Sequence, residues 1–234
     1  MQTIIHKAGT RGHADYGWLS TYYTFSFAEY QDPSRVHFGK LRVINDDTIS
    51  GGQGFGKHPH ENMEIITIVL EGEIEHKDSM GNTLVIRKNE VQAMSAGTGI
   101  FHSEFNHLPD VPLKLFQIWV FPDKKGYTPR YDQKFFDPEE RKNKWQQLVS
   151  PANKDALFIH QDAYFSRIDL DKDETATYSL KTPGNLVYLM VVEGSVESEG
   201  IHLKRRDGVG FSDASSLSFK AAENAGLLVM EIPA

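Results

Sequence analysis

The 234-residue sequence contains no cysteine. Disulfides and thiolate ligands are therefore excluded, and any bound metal must be held by nitrogen and oxygen donors. No stretch approaches the roughly 20 apolar residues of a membrane-spanning helix, and the start, MQTIIHKAGTRGHADYGW, lacks the apolar run of a secretory signal. A cytoplasmic protein is expected. Basic charge is scarce too: 25 Lys and Arg stand against 32 Asp and Glu, a formal net charge of −7. Non-specific nucleic-acid binding draws on Lys and Arg surfaces, so direct nucleic-acid binding is not expected. Apolar material is ample, with 39% hydrophobic residues including 14 Phe and 9 Tyr, enough for packed cores.

From Leu41 to Phe121 short β-rich runs alternate with turn residues: LRVIND, MEIITIVLEG, EIEHKDS, TLVIRK, VQAMSAG and LKLFQIWVF. This spacing predicts a sandwich or barrel rather than βαβ units, with MGN at 80–82 as a hairpin turn. The polar stretch DPEERKNKWQQLVSPANKDA, 137–156, breaks the rhythm. It holds the best helical piece, around Glu139 to Leu148, and reads as an interdomain connection. The β pattern then resumes. IVLEGEIEHKDS at 68–79 and MVVEGSVESEG at 190–200 share an apolar strand, a Glu-Gly turn and an alternating strand, each followed by a basic strand and a glycine turn. Two copies of one barrel unit are inferred, residues 1–136 and 137–234, in an all-β protein. The second copy has no His-Xaa-His, and its nearby imidazole is His202.

The segment GQGFGKHPHENME, 52–64, places His58 and His60 two apart, where strand side chains share a face. SAGTGIFHSEFN, 95–106, repeats the spacing with His102 and Glu104. Three imidazoles and a carboxylate suit iron, nickel, copper, cobalt, manganese or zinc, and a one-sided ligand set leaves room for substrate or dioxygen. The carboxylate has two candidates, since Glu64 keeps the strand parity of His60. Glu104 is preferred because His102-Xaa-Glu104 mirrors His58-Xaa-His60.

At these residues a family resemblance enters. Gly52, five residues, His58-Pro59-His60, three more and Glu64 resemble the first cupin motif. Gly97-Thr98-Gly99-Ile100-Phe101-His102 with Asn106 resembles the second, except that Gly97 stands where the motif usually has proline. More specifically, RGHADYGWLSTYYTFSFAEYQDP, LRVINDD, GQGFGKHPHENMEIITIVLEGEIEHKDSMGN, MSAGTGIFHSEFN and QIWVFP resemble successive segments of pirins, from Arg11 to about Arg130. The resemblance implies a monomer of two tandem cupin (double-stranded β-helix, or jelly-roll) barrels with a short helical connection. It also implies one divalent transition metal, Fe(II) foremost, with Zn, Ni, Mn, Co or Cu as alternatives. Its ligands would be His58, His60, His102 and Glu104, in the first barrel alone.

The activity that the resemblance implies is a dioxygenase acting on flavonols such as quercetin with dioxygen. The substrate chelates through its 3-hydroxyl and 4-carbonyl, Glu104 is the catalytic base that accepts the hydroxyl proton, and the central ring is opened with release of carbon monoxide. The alternative is a metal- or redox-sensing regulatory protein acting on a protein partner. Among the other residues, His13 is expected to make structural hydrogen bonds and His76 to be a partly exposed strand histidine. Phe25, Phe27 and Trp119 are core aromatics or a flat wall for a planar substrate. Gly51, Gly52, Gly54 and Gly56 lack the following helix and Lys-Ser/Thr of a phosphate loop and are read as letting the backbone bend before His58.

Overall fold

The computed structural model describes residues 1–234. Its regular structure is almost all strand, in two units of like design. In the first, a seven-stranded sheet runs in the order Arg130–Phe135, Glu90–Ser95, Glu64–Glu71, Leu113–Val120, Leu41–Ile49, Leu19–Tyr23, Gly12–Asp15. It faces a four-stranded sheet ordered Gly54–His60, Ile100–Asn106, Glu73–Asp78, Thr83–Arg87. The second unit pairs a six-stranded sheet, ordered Gln2–His6, Gly208–Ser212, Leu186–Glu193, Ala225–Ile232, Tyr164–Leu170, Gln146–Val149, with a four-stranded one. That smaller sheet runs Thr175–Ser179, Ser216–Ala221, Ser195–Ser198, Ile201–Lys204. The two sheets of each unit stay distinct rather than closing into one ring, which is the jelly-roll form of a cupin. No helix is long and apolar enough to cross a membrane.

Strand alternation decides where each side chain goes. Along Glu64–Glu71, Ile66 and Ile68 join Phe116 and Ile118 on the outer face of the large sheet, whereas Val69 joins Leu113 and Leu115 on the inner face. The outer faces of the two large sheets pack against each other. Ile66, Ile68, Phe116 and Ile118 meet Tyr188, Met190, Leu228 and Met230 in one cluster of 23 buried residues. Burying a side chain of this kind contributes roughly 1.5–3 kcal/mol, so this shared core fixes the units against each other. Polar links reinforce it: Arg11 and Arg206 both donate to Asp46 Oδ2, at 3.1 and 3.0 Å. The strand Gln2–His6, at the start of the chain, pairs with Gly208–Ser212 of the second unit, where buried His6 bonds the Tyr188 hydroxyl at 2.9 Å.

The repeated Glu-Gly turns have one cause. Gly72 and Gly194 both adopt positive φ, 82° and 73°, and a Cβ on either would press on backbone of the neighbouring connection. The expected turn at 80–82 is present between Glu73–Asp78 and Thr83–Arg87, held by Asp78 Oδ1 accepting from the amides of Met80 and Asn82. The helical connection is shorter than the expected Glu139 to Leu148. It is a single 3₁₀ turn, Pro138–Arg141, capped by the Asp137 side chain, and Asn143 at φ 52° then ends any helical path. Gln146–Val149 becomes an edge strand instead, since Leu148 and Val149 bury more area in the shared core than on an isolated short helix.

Candidate metal centre

His58 and His60 sit on Gly54–His60, which pairs with Ile100–Asn106 so that His58 lies directly opposite His102. The ring centroids are 4.4 Å apart for His58–His102, 4.9 Å for His58–His60 and 4.8 Å for His60–His102. Each offers a ring nitrogen within 4.8 Å of the others'. A register shift between His102 and Glu104 sets Glu104 opposite Phe55 rather than Gly56. This bulge adds a residue on the first strand and lets both Phe55 and His58 face inward despite their odd spacing, with ring centroids 6.5 Å apart. His58 Nδ1 lies 2.7 Å from the Gly56 carbonyl; only a protonated Nδ1 can make that bond, so Nε2 is the free donor. The backbone at Gly97 has φ 51°, which proline cannot adopt; this accounts for glycine at that place in the second motif.

Glu104 lies deeper. It groups with His102 and His76, whose ligand atoms are again within 4.8 Å of one another. Its Oε2 accepts from Gln117 Nε2 at 2.9 Å, and Gln117 Oε1 accepts from the Thr67 hydroxyl at 2.9 Å. Gln92 Nε2 reaches the same hydroxyl at 3.3 Å. Two buried atoms, Glu104 Oε1 and His102 Nε2, have no hydrogen-bond partner. Burial, followed by the Asp47 charge, pushes the Glu104 carboxyl up to about 7. Burial and then the neighbouring imidazoles lower His102 to about 2, and burial and then His58 lower His60 to about 4. Both rings are therefore neutral near pH 7, the protonation state that binds metal.

Glu64, the other carboxylate candidate, points elsewhere. Between His60 and Glu64 the chain turns through Asn62, at φ 49°, and passes from the small sheet into the large one, so strand parity does not carry across. Glu64 lies on the outer face with Ile66 and Ile68 and accepts the Ser95 hydroxyl at 2.7 Å.

His76 departs from expectation as well. It is fully buried, with no exposed surface, rather than partly exposed. Its Nε2 lies 3.1 Å from Asp78 Oδ2, its Nδ1 3.4 Å from His102 Nδ1, and its ring 4.6 Å from Tyr131. His13 contacts the Ser20 hydroxyl at 3.2 Å and stacks on Tyr22, a structural role. The three aromatics divide. Phe25 belongs to the shared core between His6 and Tyr188, while Trp119 stands edge-on to His60 at 4.9 Å and to Phe27 at 5.2 Å. The supporting glutamines were missed from the sequence, although polar residues on the inward parity of apolar strands, Gln92 in EVQAMS and Gln117 in LKLFQIWV, carry a signal for them.

The fold and this site together define a two-domain cupin whose first unit carries a candidate centre for a divalent transition metal. Residues 5–120 match the family described as Pirin, and residues 147–232 the family described as quercetinase C-terminal cupin domain. The chain is 45% identical over 230 residues to quercetin 2,3-dioxygenase of Escherichia coli K12, covering 98% of each. It is 41% identical over 222 residues to a pirin-like protein of Caulobacter vibrioides, covering 94% of this chain and 95% of that one. The crystal structure of the bacterial pirin YhhW from Escherichia coli in complex with nickel(II) superposes with a TM-score of 0.94 at 43% identity, covering 99% of each chain. The chain belongs to the pirin family.

Proposed function

We propose that this protein is a metal-dependent dioxygenase that opens the central ring of flavonols such as quercetin, and that His58, His60, His102 and Glu104 hold its metal. The observation that carries the reading is the convergence of three imidazoles on one point, with a buried carboxylate behind them in which one oxygen has no partner. It is supported by 45% identity, along nearly the whole chain, to a protein named for that reaction. Donors that are all imidazole and carboxylate suit a borderline divalent metal, and the pirin resemblance favours Fe(II) among them.

When bound, the metal supplies Lewis acidity toward the chelating 3-hydroxyl and 4-carbonyl of the substrate. The chain's own residues do the rest. Glu104, buried two residues from His102, is placed to accept the 3-hydroxyl proton as general base. Gln117, braced by Thr67, orients that carboxyl through Oε2 and leaves Oε1 without a protein partner. Trp119 stands beside His60, with Phe27 edge-on to it, as an apolar boundary against which a planar substrate can lie. In the net reaction the flavonol takes up one dioxygen and yields a depside and carbon monoxide.

The test is anaerobic loading with Fe(II), then quercetin and air, following loss of flavonol absorbance together with carbon monoxide release. Turnover that depends on the metal is expected. Metal-loaded protein that turns over no flavonol would remove the basis for the reading.

A further inference from the structure

Behind the three-histidine cluster lies a line of buried polar groups that the proposed reaction does not use. Asp78 Oδ1 accepts the backbone amides of Met80 and Asn82, at 2.9 and 3.1 Å, and Oδ2 accepts the Asn82 side-chain amide at 2.8 Å. A carboxylate so placed can only accept, so in the 3.1 Å contact with His76 the proton sits on His76 Nε2. A neutral His76 then presents a bare Nδ1 toward His102 Nδ1, 3.4 Å away. That contact is attractive only when His102 carries its proton on Nδ1. The remaining nitrogen of His102 is then a free lone pair, and it is Nε2 that is buried without a partner.

We propose that Asp78 and His76 are positioning residues: they dictate the tautomer of His102 and so present its Nε2 as a ready donor at the cluster with His58 and His60. The inference rests on reading His102 as a metal ligand. The arrangement extends the usual support of a ligating histidine by one more imidazole. All three side chains are on adjacent strands, with His102 opposite Asp78 and Glu104 opposite His76, and Tyr131 lies against the His76 ring.

Asp78→Asn makes the relay testable. The two backbone amides hold one oxygen of residue 78, so the side-chain NH₂ replaces Oδ2; the Asn82 amide, which donates to Oδ2 in the wild type, turns to accept one of its hydrogens, and the other faces His76 as a donor. His76 must then accept at Nε2 and carry its proton on Nδ1, and His102 must in turn accept at Nδ1 and carry its proton on Nε2. The substitution thus closes the donor nitrogen two side chains away by reversing both tautomers, as a wrong-tautomer histidine disables other sites.

Long-range proton–nitrogen NMR on the metal-free, full-length protein at about pH 8, above the ordinary imidazole range, reads the tautomers directly. Wild type should show His76 protonated on Nε2 and His102 on Nδ1; Asp78→Asn should show both reversed. In chelator competition, Co(II) should bind about 10- to 100-fold more weakly to Asp78→Asn and to His76→Leu. Wild-type His102 protonated on Nε2, or tautomers unchanged in Asp78→Asn, overturns the proposal; the wild-type spectrum decides alone if the variants do not fold. Loss of all Co(II) from His76→Leu with full retention in His58→Ala also overturns it, by making His76 a ligand. If wild type binds no Co(II), the metal reading fails whatever the spectra show, whereas Co(II) binding with the opposite tautomers sinks only the relay.

Discussion

Matched through their Glu-Gly turns at Gly72 and Gly194, the two units place different side chains at the same points of one frame. Thr67 pairs with Gln92 and Gln117 across the first large sheet; the counterparts in the second are Leu189, Val209 and Val229. Asp47, opposite Leu115, corresponds to Ile168, opposite Leu227. On the small sheets the strand register sets His58, His102 and Glu104 against Tyr178, Leu217 and Phe219. These second-unit residues, except the distant hydroxyl of Tyr178 bound by Glu231, fill an interior of 17 buried hydrophobic residues. The matching space in the first unit holds buried atoms without partners: His102 Nε2, Glu104 Oε1, Gln92 Oε1 and Asp47 Oδ1. Each such atom costs roughly 1–3 kcal/mol. One copy is packed for stability; the other gives up stability to hold unpartnered polar groups at the candidate centre.

The comparison breaks most sharply on metal content. His58→Ala or His102→Ala should remove most of the metal taken up under anaerobic Fe(II) loading, and His202→Ala, in the second unit, should remove none. Elemental analysis of the three variants decides it; equal losses would show that the centre had been placed in the wrong unit. Next in size is Glu104→Gln, which keeps shape and one oxygen but loses basicity. Flavonol turnover should fall about 10²- to 10⁴-fold even with metal restored by excess, while Glu64→Gln, bonded to Ser95 on the outer face, should fall far less. The reverse order would assign the carboxylate to the first motif.

A third substitution carries the polar filling into the apolar copy. Leu189→Thr removes volume and adds a hydroxyl where Val209 and Val229 offer no partner. Core truncations of this kind cost about 2–5 kcal/mol, which for a chain of this size is about 5–15 °C in thermal midpoint. Metal content should not change. A midpoint within a degree of wild type would mean that the second interior is not the stabilising one.

Much of this was legible in the sequence because strand chemistry is local. The His-Xaa-His and His-Xaa-Glu spacings put ligand candidates on one face, and the doubled Glu-Gly turn announced the repeat, since each turn needs a left-handed glycine. What was not legible depends on the pairing of strands distant in sequence. Parity alone left Glu64 beside His60; the turn at Asn62 and the change of sheet, invisible to a period of two, send it to the opposite face. His76 looked like a partly exposed strand residue because the register that buries it against His102 joins residues 26 apart in sequence. The helix expected at Glu139 to Leu148 failed for a similar reason: local polarity favoured it, and an edge position on the second large sheet outweighed it.

The smallest expected effect isolates the cost of one polar group at a matched position. Burial, with Asp46 contributing, pushes the carboxyl of Asp47 up to about 7, against about 3.9 in an unfolded chain. Between those values the folded protein holds a proton that the unfolded chain has released, so stability falls as pH rises through the window, and the penalty is complete above about 7. Asp47→Asn keeps the shape and removes the titration. In metal-free protein it should therefore raise the thermal midpoint at about pH 8 by several degrees, corresponding to roughly 1–3 kcal/mol, and the two proteins should converge near pH 4, where Asp47 is neutral in the folded state. Glu104, raised chiefly by its own burial, is present in both, so the difference between the two curves reports Asp47 and its coupling to Glu104 alone. A constant offset at every pH would show that shape, not charge, separates Asp47 from its counterpart Ile168.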